Sequence, residues 1–130
     1  MKKVIIDTNV FISALLSPKG NANAIMDKVS FGELKLIYSN NILNEYERVL
    51  NYDKLNLPPE TQIKAITGIL ELGELIEPAI SSEPMHDEDD RIFYDAAKDS
   101  NAILITGNIK HYLAEPFIVN PSDFLQMIGS

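Results

Sequence analysis

The sequence predicts an α/β domain built around a mainly parallel sheet. Short runs of β-branched and other apolar residues alternate along the chain with longer amphipathic stretches, and that alternation is typical of strand–helix–strand units. The chain has 130 residues, of which 45% are hydrophobic and 23% are charged. This is enough for one hydrophobic core and too short for two ordinary ones. We therefore expect a single domain over residues 1–130.

Five apolar runs are the candidate strands, at residues 3–6, 34–39, 75–78, 102–106 and 117–119. Between them lie helical patterns at residues 10–16, 21–31, 40–50, 59–72, 89–100 and 121–128. We expect Asn40 or Asn41 to cap the third helix and Ser122 or Asp123 to cap the last, because short polar side chains accept hydrogen bonds from free helical N–H groups. The prolines in "NLPPE" stand where a helix can begin.

Composition excludes several kinds of protein. The absence of cysteine excludes a disulfide framework, a thiolate zinc site and a cysteine nucleophile. The net charge of −8 and the sequence pI of about 4.6 argue against a broad electrostatic grip on nucleic-acid phosphates. They are compatible with a carboxylate cluster that recruits divalent cations, and with a basic protein partner. Asp7 and Asn9 interrupt the N-terminal apolar run, and no stretch approaches the roughly 18 apolar residues of a membrane span. We expect a cytoplasmic protein.

Polar residues follow two of the predicted strands. Asp7 comes directly after the first strand, and Thr106 and Asn108 come at the end of the strand at 102–106. The carboxyl ends of parallel strands meet at one edge of a sheet, where functional groups gather. Asp7 could equally cap the next helix, and the glycine in "TGN" could serve only the turn.

Further acids lie on two helical segments. Glu45 stands at the edge of an apolar stripe formed by Ile42, Tyr46 and Val49. The run from Asp87 to Asp90 precedes a helix, and the default interpretation is that it stabilises the helix N-terminus. Four carboxylates exceed what capping needs, and such a cluster favours a hard divalent cation. Together with Asp7, these acids form a plausible metal site with oxygen ligands only.

An ordered set of motifs carries a resemblance to a known family. "VIIDTNVFISALL" at the start, Glu45, "HDEDDRIFYDAAKDSNAILITGN" and the short C-terminal strand and helix resemble the PIN-domain family. Within that family, they resemble the VapC-like toxin components of bacterial toxin–antitoxin systems. The resemblance implies an α/β/α sandwich with a parallel sheet and an endoribonuclease that depends on Mg²⁺ or Mn²⁺. It also implies a homodimer that binds a cognate antitoxin protein.

The resemblance also implies which residues form the site. The three acids of the family fall on Asp7, Glu45 and Asp90, and Asp87 matches an additional acid that one branch often carries. The fourth position, usually aspartate, is Asn108 here, which can still ligate through its carbonyl but lowers the negative charge. On this basis Asp7 and Asp90 hold the metal, directly or through water, while Glu45 and Asn108 complete its surroundings.

Other residues are open to two interpretations. His86 and His111 could be surface or structural residues, or a general acid or base. Tyr94 and Tyr112 could pack in the core or stack on bases. The apolar residues Phe11, Leu15, Leu16 and Ile25 exceed what one core needs from a short helical pair, which favours a dimer.

Two rival functions fit the sequence less well. A phosphatase or phosphotransfer domain of the doubly wound type would need a second aspartate where Asn9 stands. A PIN fold that binds a partner and no longer cuts RNA agrees with Asn108 and with the acidic composition. The kind of RNA is not encoded in any readable motif.

Overall fold

The computed structural model describes residues 1–129 and contains a five-stranded sheet in which all neighbours are parallel. Strand β1 (Lys2–Ile6) lies at the centre, between β2 (Leu34–Tyr38) and β4 (Ile103–Ile105). The edges are β3 (Gly73–Leu75) and β5 (Ile118–Val119), which gives the order β3-β2-β1-β4-β5. The chain first adds strands on one side of β1 and then crosses to the other side. The strand order therefore reverses between β1 and β4.

Six helices cover the sheet in an α/β/α arrangement, as expected. They are α1 (Thr8–Leu16), α2 (Asn21–Ser30), α3 (Asn40–Leu50), α4 (Pro59–Leu72), α5 (Arg91–Ser100) and α6 (Pro121–Met127). Short 3₁₀ turns occupy Asp53–Leu55, Glu88–Asp90 and Ile109–His111. Helices α1, α2 and α6 contact one another in series, while α3 packs on α4 and α5. Within residues 1–129, no helix combines the length and apolarity needed to cross a bilayer.

The predicted helix caps were wrong by one or more residues. Ser39 caps α3, since its hydroxyl accepts a hydrogen bond from the backbone N–H of Ile42 at 3.2 Å. Asn120 caps α6 through the N–H of Asp123 at 2.7 Å. Both capping residues are in extended backbone before the first turn, which is the position from which a side chain reaches free N–H groups.

Strand β3 begins two residues earlier than the sequence predicted, at Gly73. This glycine pairs with Leu36 of β2, and a Cβ atom there would lie 2.7 Å from the Ile69 carbonyl oxygen and from the Tyr38 ring. The close approach of α4 to the sheet therefore requires a residue without a side chain.

The core accounts for part of the apolar surplus that favoured a dimer. Phe11 of α1 stacks on Tyr46 of α3 with ring centroids 4.3 Å apart, and Ile25 of α2 is fully buried. Only Leu16 is half exposed, at 50%. Phe11 and Ile25 thus stabilise the chain's own core and leave no apolar surface, while the dimer itself stays a prediction.

Candidate active site

The candidate site lies where the strand order reverses. Asp7 follows β1 directly, and its backbone N–H donates to the carbonyl of Ile105 in β4 at 2.9 Å. A cleft of about 370 Å³ opens there and is lined by Asp7, Glu45, Asp90 and Asn108. Crevices at such switch points are the usual ligand sites of parallel sheets. The structure therefore brings these four predicted site residues to one cleft.

Asp7 is a buried carboxylate with several hydrogen-bond donors around it. One oxygen accepts from the backbone N–H of Thr8 at 2.7 Å, so Asp7 does cap α1. The other accepts from the hydroxyls of Thr106 at 2.6 Å and Tyr112 at 3.2 Å. Burial raises the pKa of Asp7, and these hydrogen bonds partly counter that rise by stabilising the charged form. The capping and site interpretations of Asp7 are thus compatible.

Asp90 ends the 3₁₀ turn Glu88–Asp90, before α5. Burial raises its pKa to about 6, and the negative charges of Asp7 and Asp87 add to the rise. The imidazole of His111 lies beside it, with Nδ1 3.9 Å from Asp90 Oδ2. That oxygen is buried and has no hydrogen-bond partner. An uncompensated buried carboxylate oxygen is costly, so this atom is well suited to bind a cation.

The acidic run divides into different roles. Asp87 is exposed and accepts a hydrogen bond from the N–H of Asp89 at 3.0 Å, so it caps the 3₁₀ turn. It does not line the cleft, and it acts on the site through its charge near Asp90. The capping interpretation therefore holds for Asp87, while the metal-site interpretation stays a prediction for Asp90.

Glu45 reaches the cleft but is already paired. Its two carboxylate oxygens accept from Arg48 Nη2 at 2.6 Å and Nε at 3.2 Å, one helical turn away on α3. Its side chain is 29% exposed. Asn108 is exposed, and its backbone N–H donates to the hydroxyl of Thr106 at 3.0 Å. Neither residue is buried in the way that Asp7 is.

The polar atoms of the cleft fit a divalent cation. In the described part of the chain, two buried side-chain oxygens lack a hydrogen-bond partner, and their residues, Thr8 and Asp90, both line this cleft. A second cleft, of about 420 Å³, contains Asp95, whose oxygens are satisfied by Ser81. The unpartnered oxygens, rather than volume, therefore distinguish the candidate site.

The arrangement fits a cation held by few protein ligands. Across residues 1–129, no group of three His, Asp or Glu side chains lies close enough together to hold one ion. Mg²⁺ keeps several waters and is commonly bound by one or two carboxylates together with substrate phosphates. Asp7 and Asp90 would match that mode, and Glu45 and Asn108 line the same cleft.

Several residues have environments that the sequence did not reveal. Tyr94 and Tyr112 are 1% and 3% exposed, which confirms core packing for both, yet the Tyr112 hydroxyl reaches Asp7. His111 lines the cleft, whereas His86 is exposed outside it. Thr8 also lines the cleft. Thr8 could have been suspected from its position beside Asp7, but no local pattern links Tyr112 to a residue so distant in sequence.

Comparison with known proteins supports the same family. A family model described as the PIN domain matches residues 3–110. An uncharacterized protein of Methanocaldococcus jannaschii is 38% identical over 109 residues, which are 82% of this chain and 70% of that protein. A chain in the crystal structure of VapBC2 from Rickettsia felis, bound to a DNA fragment from its promoter, has a TM-score of 0.58 and 16% identity. That match covers 91% of this chain and 96% of the other, and it shows the fold. The resemblance seen in the sequence is confirmed, and the chain belongs to the PIN-domain family.

Proposed function

We propose that the protein is an endoribonuclease that uses Mg²⁺ or Mn²⁺ to hydrolyse RNA phosphodiester bonds. The observation that carries the proposal is the pairing, in one cleft, of the buried Asp7 with Asp90, whose buried oxygen lacks a partner. Membership of the PIN-domain family supports it, because PIN domains are generally nucleases. A carboxylate pair of this kind attracts a hard cation, which a phosphodiester also binds.

Each residue of the cleft would have its own role in the reaction. Asp7 and Asp90 would hold the cation, and the hydroxyls of Thr106 and Tyr112 keep the Asp7 carboxylate in a fixed orientation. A divalent cation at such a site lowers the pKa of bound water and stabilises charge on the scissile phosphate. Glu45, once released by Arg48, would orient the attacking water and accept its proton. Asn108 would contribute its amide without adding charge.

The biological role we propose is that of the toxin in a toxin–antitoxin pair acting in the cytoplasm. The fold similarity to a chain of VapBC2 supports this role. Leu16, Ile63 and Leu70 are at least half exposed, and exposed apolar side chains are suited to contact with a partner protein. The partners we propose are a cognate antitoxin and a second copy of the chain. Co-purification with the product of an adjacent small open reading frame, and sedimentation of the purified protein as a dimer, would support these partners.

The test of the nuclease is cleavage of a mixed RNA pool with Mg²⁺ or Mn²⁺ and with EDTA. We expect cleavage by the wild type that EDTA abolishes. Asp7→Asn and Asp90→Asn should each lower the rate by about 100- to 1,000-fold, since each removes charge that stabilises the transition state. Asp99→Asn, an exposed aspartate on α5 outside the cleft, is the matched control and should cut at the wild-type rate.

Two results would overturn the proposal that this cleft is a nuclease active site. One is RNA cleavage by both site variants at the wild-type rate, which would show that the activity lies elsewhere. The other is a folded wild type that cuts no RNA under any metal condition but binds the product of a neighbouring gene. That second result would favour the alternative function, a PIN fold that acts only through its partner.

A further inference from the structure

One wall of the cleft carries an aromatic ring with two cations beside it. Tyr52 and Lys54 line the cleft, and Arg48 lies one turn before Tyr52, on α3. The guanidinium carbon of Arg48 is 5.4 Å from the centroid of the Tyr52 ring, and Lys54 Nζ is 5.7 Å from it. Both distances are within the range of cation–π attraction. We refer to Arg48, Tyr52 and Lys54 as the aromatic wall.

Tyr52 presents a large exposed ring to a ligand in the cleft. It is 36% exposed, whereas Phe93, which also lines the cleft, is 2% exposed. Among the large exposed apolar side chains of residues 1–129, the only other aromatic one is Phe31, which follows α2 and lies outside the cleft. Within the described residues, Tyr52 is thus the tyrosine or phenylalanine that is both exposed and in the cleft, and the exposed imidazole of His111 lines the cleft as well.

Hydrogen bonds fix the backbone at Tyr52, and a further one restrains its ring. The backbone N–H of Tyr52 donates to the carbonyl of Val49 at 3.0 Å, and the N–H of Leu55 donates to the carbonyl of Tyr52 at 3.1 Å. A guanidinium N–H of Arg48 also donates to the Tyr52 hydroxyl. A ring that is ordered before binding loses less entropy when a ligand stacks on it.

The charge of the aromatic wall differs from that of the rest of the cleft. The chain carries a net charge of −8, and Asp7, Asp89 and Asp90 line the cleft as well. Lys54 is exposed, with a flexible stem that lets its charge turn toward a ligand, whereas Arg48 is paired with Glu45 and donates to the Tyr52 hydroxyl. A phosphate group would be attracted to this wall, and a flat base would find a ring to stack on. An acidic or apolar peptide would use only part of these features.

We infer that the aromatic wall binds one unpaired nucleotide of the substrate, with the base stacked on Tyr52 and an adjacent phosphate held by Lys54. The inference rests on the proposed nuclease function and adds to it a nucleotide subsite formed by Tyr52 and Lys54. Bases within a duplex already stack on their neighbours and present no free face to a protein ring. The subsite therefore selects strands, loops and ends over duplexes.

The first experiment measures stacking without cleavage. The sequence contains no tryptophan, so Tyr52→Trp introduces a single fluorescent reporter at the wall. The variant is combined with Asp90→Asn and studied in EDTA, so that no RNA is cut. A short single-stranded RNA of randomised sequence should quench the tryptophan fluorescence on binding. The same reporter at Phe31→Trp, an exposed aromatic position away from the cleft, should not respond.

The second experiment measures affinity by fluorescence anisotropy of the same RNA, labelled with fluorescein. Tyr52→Ala should weaken binding by about 5- to 150-fold, the loss typical of one stacked base, while Tyr52→Phe should keep most of the affinity. Lys54→Gln should also reduce the slope of log affinity against log salt by about 0.7, the value for one phosphate contact to a single strand. Lys19→Gln, an exposed lysine outside the cleft, should change neither quantity.

Three outcomes would overturn the inference. They are wild-type affinity of Tyr52→Ala, equal affinity for duplex RNA, and equal losses in Tyr52→Phe and Tyr52→Ala. The last would assign Tyr52 a structural role through its hydroxyl. Because these readouts need no catalysis, a protein that binds RNA at the wall but never cuts it would refute the nuclease and retain the subsite. A protein that cuts RNA with Tyr52→Ala binding normally would do the reverse.

Discussion

Asp90→Asn should stabilise the metal-free protein at neutral pH while it lowers the rate of RNA cleavage by about 100- to 1,000-fold. Burial first, and then the charges of Asp7 and Asp87, raise the pKa of Asp90 from 3.8 to about 6. The folded protein thus holds this proton more tightly than the unfolded chain does. Below pH 3.8 both states are protonated and the group has no net effect. Between pH 3.8 and about 6 the carboxyl group ionises in the unfolded chain while the folded protein largely keeps its proton. The free energy of unfolding therefore falls as the pH rises through this range.

The size of the effect follows from that shift. Each pKa unit corresponds to about 1.4 kcal/mol, so the full shift amounts to about 3 kcal/mol above pH 6. The Asp90 side chain is 17% exposed, and solvent screening reduces this value. We expect the isosteric, uncharged asparagine to gain about 1 to 2 kcal/mol at pH 7. For a chain of this length, each kcal/mol raises the melting temperature by roughly 4 °C.

The assay is thermal unfolding of the wild type, Asp90→Asn and the control Asp99→Asn in EDTA, from pH 3.5 to pH 8. The stability gain of Asp90→Asn should be absent at the acidic end and should reach its full value above pH 6. Mg²⁺ should then stabilise the wild type more than the variant, because ligand binding to the folded state adds stability. A gain of the same size at every pH, or no gain at all, would show that Asp90 carries no uncompensated charge and would refute the reasoning.

Three further predictions concern the support of the site and of the sheet. Thr106→Val should destabilise the protein by about 1 to 3 kcal/mol and slow cleavage, because it leaves a buried Asp7 oxygen without its shortest hydrogen bond. Denaturant unfolding would measure the stability, and an RNA cleavage assay would measure the rate. Unchanged stability would contradict the prediction. Asp7→Asn should slow cleavage as strongly as Asp90→Asn does. It should raise the melting temperature in EDTA by less, because three hydrogen-bond donors already stabilise the Asp7 carboxylate. An equal or larger rise would show that these donors do little to stabilise the buried charge. Gly73→Ala should lower the free energy of unfolding by about 1 to 3 kcal/mol, because its Cβ would clash with the Ile69 carbonyl. The control is Gly68→Ala, where a Cβ meets nothing within 4 Å. This control should leave the free energy of unfolding unchanged or raise it.

Local patterns predicted most of the fold, and tertiary contacts decided what they could not. The bounds of α3 and α4 agree with their hydrophobic periodicity, and the neighbouring strands are parallel, in agreement with the mainly parallel sheet that was expected. The start of β3 depends on how closely Tyr38 approaches Gly73, which no periodicity encodes. The Arg48 partner of Glu45 is visible as a spacing of three residues along a helix, a pairing that helices favour. In contrast, whether the Asp90 oxygen has a hydrogen-bond partner depends on the positions of all the side chains around it, and no local sequence pattern gives those positions.

The cleft reconciles an acidic protein with a polyanionic substrate. At physiological salt, charges beyond about 8 Å are largely screened when exposed, so the groups that line the cleft matter more than the net charge of −8. The acids gather where a cation would neutralise them, and the cations gather beside Tyr52. Arg48 links the acidic residues to the aromatic wall, because it pairs with Glu45 and contacts the Tyr52 ring. Its guanidinium cannot give the same donors to Glu45 and to a phosphate. Lys54, which lines the cleft, is therefore the side chain of the aromatic wall that can bind a phosphate while Arg48 stays paired with Glu45.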